Sequence, residues 1–349
     1  MNRREASPTQ ILDEPLDDPG GAEEGGLNWP DTLDMGRLLG YGRLYPQFPP
    51  TLCGGEKGTQ MSGQASSPSP LTIPDLAARK ASAGKGAPLV MITAYDIVSA
   101  RLADRAGADL LLVGDSLGMV VLGRENTLAV TVDEILHHAR AVAAARPRAV
   151  VVGDMPFLSY HASGSEAVRN AGRLLSKGGC QAVKVEGGRR CLPTIERLLA
   201  ADIPVMGHLG LTPQSIHRLG GFRVQARGVE GAETLIQDAR LLAGVGVFAI
   251  VLEGIPAEIA QLVTAAVNVP TIGIGAGPHC DGQVLVWHDL LGLTEELSPK
   301  FVRRYADLGS VIVDALARFA DDVRSGAFPS PEESYHAPAD VVASLRGSG

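Results

Sequence analysis

From Leu71 to about residue 324 the chain alternates between two textures: short aliphatic or β-branched runs, and longer stretches whose apolar positions recur at helical spacing. That alternation marks repeated strand–helix units. Strands are predicted at Leu89–Thr93, Leu110–Val113, Ala149–Val152, Ala182–Val185, Pro204–Gly207, Val247–Leu252, Thr271–Ile274 and Val284–Trp287. Helical spacing fills 97–106, 133–146, 165–177, 192–201, 231–244 and 257–267. A lead-in helix is predicted over Leu71–Ala83, with Pro74 near its first turn, and a final helix over 301–324. The connection after the seventh strand is short and carries no firm helical pattern. Eight strands in about 200 residues predict an α/β fold of the (β/α)8 TIM-barrel kind. An open flavodoxin-like or Rossmann sheet is the alternative, but no GxGxxG follows the first strand.

Residues 1–70 lack this periodicity. They hold 9 Pro and 11 Gly, with 10 acidic against 5 basic residues. Such a segment cannot bury enough apolar surface to offset its ordering entropy, so a disordered extension is predicted. Met61, shortly before the first periodic element, offers an alternative start. The catalytic domain is expected over 71–330, and 331–349 returns to a Pro/Ser/Gly-containing tail.

Composition narrows the classes of function. The 349 residues carry 31 Lys plus Arg against 39 Asp plus Glu, a formal net charge of -8. Without a basic footprint, and with aromatics at only 4%, a nucleic-acid binder is disfavoured. No apolar run approaches the roughly 20 residues of a membrane span, and no hydrophobic signal core follows the N-terminus. Cys53, Cys180, Cys191 and Cys280 show no CxxC spacing, which makes a reducing cytoplasm the simplest location.

Barrel enzymes do their chemistry at the C-terminal ends of the strands. Reading past each predicted strand gives Thr93-Ala-Tyr-Asp96, Gly114-Asp-Ser-Leu-Gly-Met119, Gly153-Asp-Met-Pro156, Val183-Lys-Val-Glu-Gly-Gly188, Gly207-His-Leu-Gly-Leu-Thr-Pro-Gln214, Val251-Leu-Glu-Gly254, Ile272-Gly-Ile-Gly-Ala-Gly277 and Trp287-His-Asp289. Each residue alone has a plain explanation. Asp115 and Asp154 could cap helices, Lys184 and Glu186 could be a structural ion pair, and His208 could be a satisfied core histidine. Taken together, ionisable groups at successive strand ends point to a site. Lys184 and Glu186, two apart on one strand, should face the same side. Glu253 follows an apolar run, where a carboxylate is costly unless partnered or used.

Convergent carboxylates with few histidines and no cysteine describe a hard-cation site, favouring Mg²⁺ over Zn²⁺. A lysine beside them would stabilise an anionic oxygen, and a further glutamate could move a proton. Such parts suit a chelating 2-oxo acid whose enolate is made on the metal. HExxH and the Walker pattern are absent, and Ile272–Gly277 reads as tight packing before it reads as a phosphate loop.

These motifs, in order and spacing, resemble those of the ketopantoate hydroxymethyltransferase (3-methyl-2-oxobutanoate hydroxymethyltransferase) family over about residues 71–330, with Gly207–Ser215 the most specific. The resemblance implies a (β/α)8 barrel that transfers a hydroxymethyl group from 5,10-methylenetetrahydrofolate to 3-methyl-2-oxobutanoate through a Mg²⁺-bound enolate, giving 2-dehydropantoate for pantothenate synthesis. Carried over by motif, Asp115 and Asp154 would ligate Mg²⁺ and also contact the substrate. Glu186 would support the metal directly or through its waters. Ser116 and Lys184 would hold the oxo acid, His208 would hydrogen-bond it, and Glu253 would be the general base. The family's members are homo-oligomers, often decamers. The extension before the lead-in helix departs from the family pattern. Two rivals remain: another Mg²⁺-enolate barrel such as a lyase, whose usual catalytic cysteine loop has no counterpart here, and a non-enzymatic barrel, which should have lost at least one of these positions.

Overall fold

The computed structural model describes residues 69–81, 87–294 and 299–347. The extension predicted over 1–70 lies, apart from Ser69 and Pro70, outside the described residues.

Eight parallel strands close into a barrel in sequence order, with β1 (Leu89–Thr93) pairing both β2 (Leu110–Val113) and β8 (Gly282–Leu285). Between them run β3 (Val150–Asp154), β4 (Ala182–Glu186), β5 (Val205–Gly210), β6 (Ala249–Glu253) and β7 (Thr271–Ile274). Closure excludes the open-sheet alternative. The strands are aliphatic almost throughout because both of their faces are covered. Residues alternating inward, among them Met91, Leu110, Leu112, Val150, Val152, Ala182, Met206, Ala249 and Val251, fill the barrel's interior. The outward set packs against the surrounding helices.

Helix α1 (Ile73–Ala81) precedes β1, and Leu76 joins the interior cluster. The outer layer contains α2 (Ile97–Arg105), α4 (Val132–Ala143), α5 (Gly164–Ser176), α6 (Leu192–Leu199), α8 (Val229–Val245) and α9 (Ala257–Ala266), with short α3 (Leu117–Val120) and α7 (Ile216–Leu219) in the connections after β2 and β5. Their starts follow from local chemistry. Asp96 and Thr131 each close a capping box, with Ser99 and Glu134 respectively, and the Ser163 hydroxyl accepts from Glu166 N. Among the described residues no helix is long and apolar enough to cross a membrane.

Four sequence expectations shift. The eighth strand is Gly282–Leu285, and Trp287 opens a short helix, α10 (Trp287–Leu291), whose first N–H donates to Thr93 Oγ1 at 2.9 Å. Gly282 belongs in the strand because a Cβ there would sit 2.6 Å from Leu89 O, so only glycine lets β8 close on β1. The final helix begins later, as α11 (Leu308–Ser325). The C-terminal segment, read as loop, contains α12 (Ala339–Arg346), an eight-residue amphipathic turn set too short to stand out between Pro338 and Gly347. β3, β4 and β6 also run further than the pattern suggested, because Asp154, Glu186 and Glu253 complete their C-terminal ends, and β5 runs on through His208 to Gly210.

Candidate active site

The interior positions of β3 to β6 change character as they climb. Val150 and Val152 are followed by Asp154, Ala182 by Lys184 and Glu186, Met206 by His208, and Ala249 and Val251 by Glu253. Alternation of side chains along each strand therefore carries the polar residues into the top of the barrel. Strand register brings them side by side. Asp154 lies opposite Lys184, Glu186 opposite His208, and Glu253 opposite Gly210. Gly210, at φ +94°, lets β6 approach, since a Cβ there would meet Glu253 O at 2.2 Å.

Lys184 Nζ lies 2.9 Å from Asp154 Oδ1 and 3.6 Å from Glu186 Oε1. His208 bridges two carboxylates, with Nδ1 3.2 Å from Glu186 Oε1 and Nε2 3.1 Å from Glu253 Oε2. Asp115, just beyond β2, joins the group by donating its backbone N–H to Asp154 Oδ2 at 2.9 Å. Asp115, Asp154, Lys184, Glu186 and His208 are all buried, whereas the Glu253 side chain retains 18% exposure.

The charges are interdependent. Burial, then repulsion from Asp154 and Glu186, raises the Asp115 carboxyl well above its usual range. Burial also raises Asp154, although Lys184 opposes it. Burial works against the Lys184 ammonium, but Asp154, Glu186 and Asp115 outweigh it and raise its pKa. For His208, burial and Lys184 push the imidazole down, yet Glu186 and Glu253 hold it up at about 9. Its Nδ1 also lies 3.2 Å from Lys184 Nζ, so that ring nitrogen stands between a lysine and a carboxylate. Burial opposes the Glu186 charge, and the His208 and Lys184 cations still keep its pKa below the ordinary value.

Four carboxyl groups face two basic side chains at the top of the barrel, a surplus of acidic over basic groups. Asp154 Oδ1 and Glu186 Oε1 also lack a well-formed hydrogen bond despite complete burial. A divalent cation is the group that such a surplus fits. Among the described residues no three His, Cys, Asp or Glu side chains are grouped to hold a metal by themselves. Two carboxylates, Asp115 and Asp154, with further positions left to water or substrate oxygens, suit Mg²⁺. Glu186 faces Lys184, His208 and the Gln214 backbone N–H, which reaches its Oε2 at 3.1 Å.

Ser116 stands at the site's edge, with its Oγ 2.8 Å from the Tyr95 hydroxyl. The strand-end reading did not single out Tyr95, Tyr160 or Gln214. Tyr95 and Gln214 do lie in the quoted motifs, where the only available signal was a polar group beside a strand end. Nothing in the sequence marks Tyr160, whose hydroxyl donates to Gln214 Oε1 at 2.8 Å. Asp96 is a helix cap and His288 lies on α10, its ring centroid 5.5 Å from that of Tyr95.

A profile of the family described as ketopantoate hydroxymethyltransferase matches residues 70–331. The chain belongs to the ketopantoate hydroxymethyltransferase family. It is 56% identical over 266 residues to the 3-methyl-2-oxobutanoate hydroxymethyltransferase of Pelobacter propionicus, covering 76% of this chain and 97% of that one. The Moorella thermoacetica enzyme of the same name is 56% identical over 265 residues, again covering 76% and 97%. The Koribacter versatilis enzyme is 55% identical, covering 74% and 88%. A distant structural likeness, at 18% identity and TM-score 0.47, covers 78% of this chain and 93% of a 2,3-dimethylmalate lyase. As a ketopantoate hydroxymethyltransferase family member the chain is an enzyme of the hydroxymethyltransferase type.

Proposed function

We infer that this enzyme transfers a hydroxymethyl group from 5,10-methylenetetrahydrofolate to 3-methyl-2-oxobutanoate, giving 2-dehydropantoate, with Mg²⁺ held by Asp115 and Asp154. The observation that carries the reading is the buried, carboxylate-rich cluster joined to a lysine and, through His208, to a single partly exposed glutamate. Bound at those carboxylates, the cation would supply Lewis acidity toward the substrate's 2-oxo group.

The remaining work falls to the chain's own residues. Ser116 and the Lys184 ammonium hold the oxo acid, and His208 fixes the edge of its pocket. Glu253, the most open of the paired groups, takes the C3 proton. As that proton leaves, negative charge moves onto the 2-oxo oxygen, where Lys184 meets it in a site of low dielectric. C3 then bonds to the folate's methylene carbon, both bonds from that carbon to folate nitrogens break, water supplies the hydroxyl oxygen, and the protons released from C3 and from that water end on the two nitrogens of tetrahydrofolate. Glu186 acts at one remove, orienting Lys184 and His208.

The surroundings support two coarser points. Ile312, Leu316, Phe319 and Val323 form an exposed apolar stripe along α11, which favours a homo-oligomer, with a decamer expected from the family. Cys180, Cys191 and Cys280 are free thiols, in keeping with a reducing cytoplasm. The direct test is product formation from 3-methyl-2-oxobutanoate and methylenetetrahydrofolate, with and without Mg²⁺. Folate- and Mg²⁺-dependent formation of 2-dehydropantoate is expected, and turnover of isocitrate-like substrates instead would transfer the site to lyase chemistry.

A further inference from the structure

Gln214 lies four residues beyond the end of β5, is buried, and touches the connections after β2 and β3 and the end of β4. Its Nε2 donates to Asp115 Oδ2 and to Met155 O, both at 2.9 Å. Its Oε1 accepts from the Tyr160 hydroxyl at 2.8 Å, and its backbone N–H donates to Glu186 Oε2 at 3.1 Å.

The chemistry of these partners leaves one orientation for the amide. A carboxylate and a backbone carbonyl can only accept, so both must face the NH₂ group. The Tyr160 hydroxyl accepts from Glu186 N at 3.3 Å and gives its one proton to the amide oxygen at 2.8 Å, nearer than Glu186 O at 3.1 Å. A flipped amide would set its oxygen against Asp115 and Met155 and leave two buried acceptors unmet. Tyr160 is itself fixed, lying against His161 with ring centroids 4.0 Å apart and accepting at its carbonyl from Thr194 Oγ1 at 3.4 Å.

We infer that Gln214, locked by Tyr160, is a positioning residue for the cation site: it holds Asp115 Oδ2 and thereby presents the other carboxylate oxygen to the metal. This rests on the reading of Asp115 as a Mg²⁺ ligand. Among the described residues no hydrogen bond reaches Asp115 Oδ1, so the amide divides the carboxylate into a held oxygen and a free one. The backbone bond to Glu186 ties the same residue to the Lys184–His208 side of the cluster. Without the amide, two adjacent buried carboxylates would lose the contact that keeps one of them from turning away.

The test is a titration of the full chain with Mn²⁺, following the free-ion signal by electron paramagnetic resonance, so that no turnover is needed. Gln214→Met keeps the volume and the backbone N–H but removes the amide. It should weaken Mn²⁺ binding 10- to 100-fold, the usual range for a residue that orients a metal ligand. Tyr160→Phe should weaken it less, about 3- to 10-fold, and adding it to Gln214→Met should cost nothing more, because both act through one contact. If Gln214 serves stability alone, the melting temperature falls while the folded protein titrates like the parent, and the inference is overturned. Should Gln214→Met fail to fold, a parent-like isotherm for Tyr160→Phe overturns it equally. Asp115→Asn separates the two layers. If it too binds Mn²⁺ like the parent, the cation assignment falls and this inference with it. If it loses binding while Gln214→Met does not, only the role of Gln214 falls.

Discussion

Glu253 and His208 meet at 3.1 Å, Oε2 to Nε2, across the seam between β6 and β5. They are not direct register partners, since His208 lies opposite Val251 and Glu253 opposite Gly210. The contact is a diagonal one, and the two strands approach closely there because Gly210 has no Cβ to meet Glu253 O. It holds one oxygen of a partly exposed carboxylate against the buried His208 ring, a sound arrangement for an aimed base.

Replacing that carboxylate should separate binding from chemistry. Glu253→Gln keeps the shape and can still accept from His208, but it cannot take the C3 proton. Turnover should fall by roughly 10²–10⁴-fold while Mg²⁺ and 3-methyl-2-oxobutanoate still bind. Without folate, in deuterated water with Mg²⁺, the parent should exchange the C3 proton and the variant should not. Parent-like exchange by proton NMR would remove Glu253 from the role of base.

Asp115 is crowded by Asp154 and Glu186 in a buried place, so function and stability oppose each other there. Without added divalent cation, Asp115→Asn should melt about 2–4 °C higher than the parent, the shift expected for roughly 1 kcal/mol in a domain of this size. Mg²⁺ should stabilise the parent and leave the variant nearly unchanged. Differential scanning calorimetry with and without Mg²⁺ measures both, and equal Mg²⁺ stabilisation of the two proteins would count against the ligand assignment.

The connection after β2 is pinned to α4 by Arg124, whose guanidinium reaches Glu134 at 2.5 and 3.1 Å. The same carboxylate accepts from Thr131 N, so it serves the ion pair and the helix cap at once. Arg124 and the Thr131 bonds hold Glu134 down at about 2 against an ordinary 4.5. A carboxyl with a lowered folded-state pKa stabilises above the unfolded value and loses that contribution as pH falls through the folded one. Glu134→Gln should therefore cost about 1 kcal/mol at pH 6, with the difference from the parent narrowing between about pH 4.5 and 2. Melting temperatures across that range test it; a gap that stays constant would mean the carboxylate's charge contributes nothing.

On α11, Leu316 and Phe319 are 62% and 53% exposed and belong to one helical stripe. Leu316→Asp with Phe319→Asp should lower the solution mass seen by light scattering while the barrel's far-ultraviolet spectrum persists. An unchanged assembly would place the subunit contact elsewhere.

The linear chain already contained the repeat. Aliphatic runs at Leu89, Leu110, Thr271 and their counterparts, separated by stretches of helical spacing, dictate eight parallel strands, because only strands covered on both faces read so uniformly apolar. It also determined which residues could do chemistry, since Asp115, Asp154, Lys184, Glu186, His208 and Glu253 all follow apolar runs where a charge needs a reason. Register and closure decided the rest. They set which charges pair: Lys184 with Asp154, His208 with both Glu186 and Glu253. They brought Gln214 onto Asp115, 99 residues away, with Tyr160 holding the amide from the connection after β3. A side chain that acts by holding another carries no local mark in the sequence, because its partner is supplied by a different strand and only barrel closure brings the two within 3 Å.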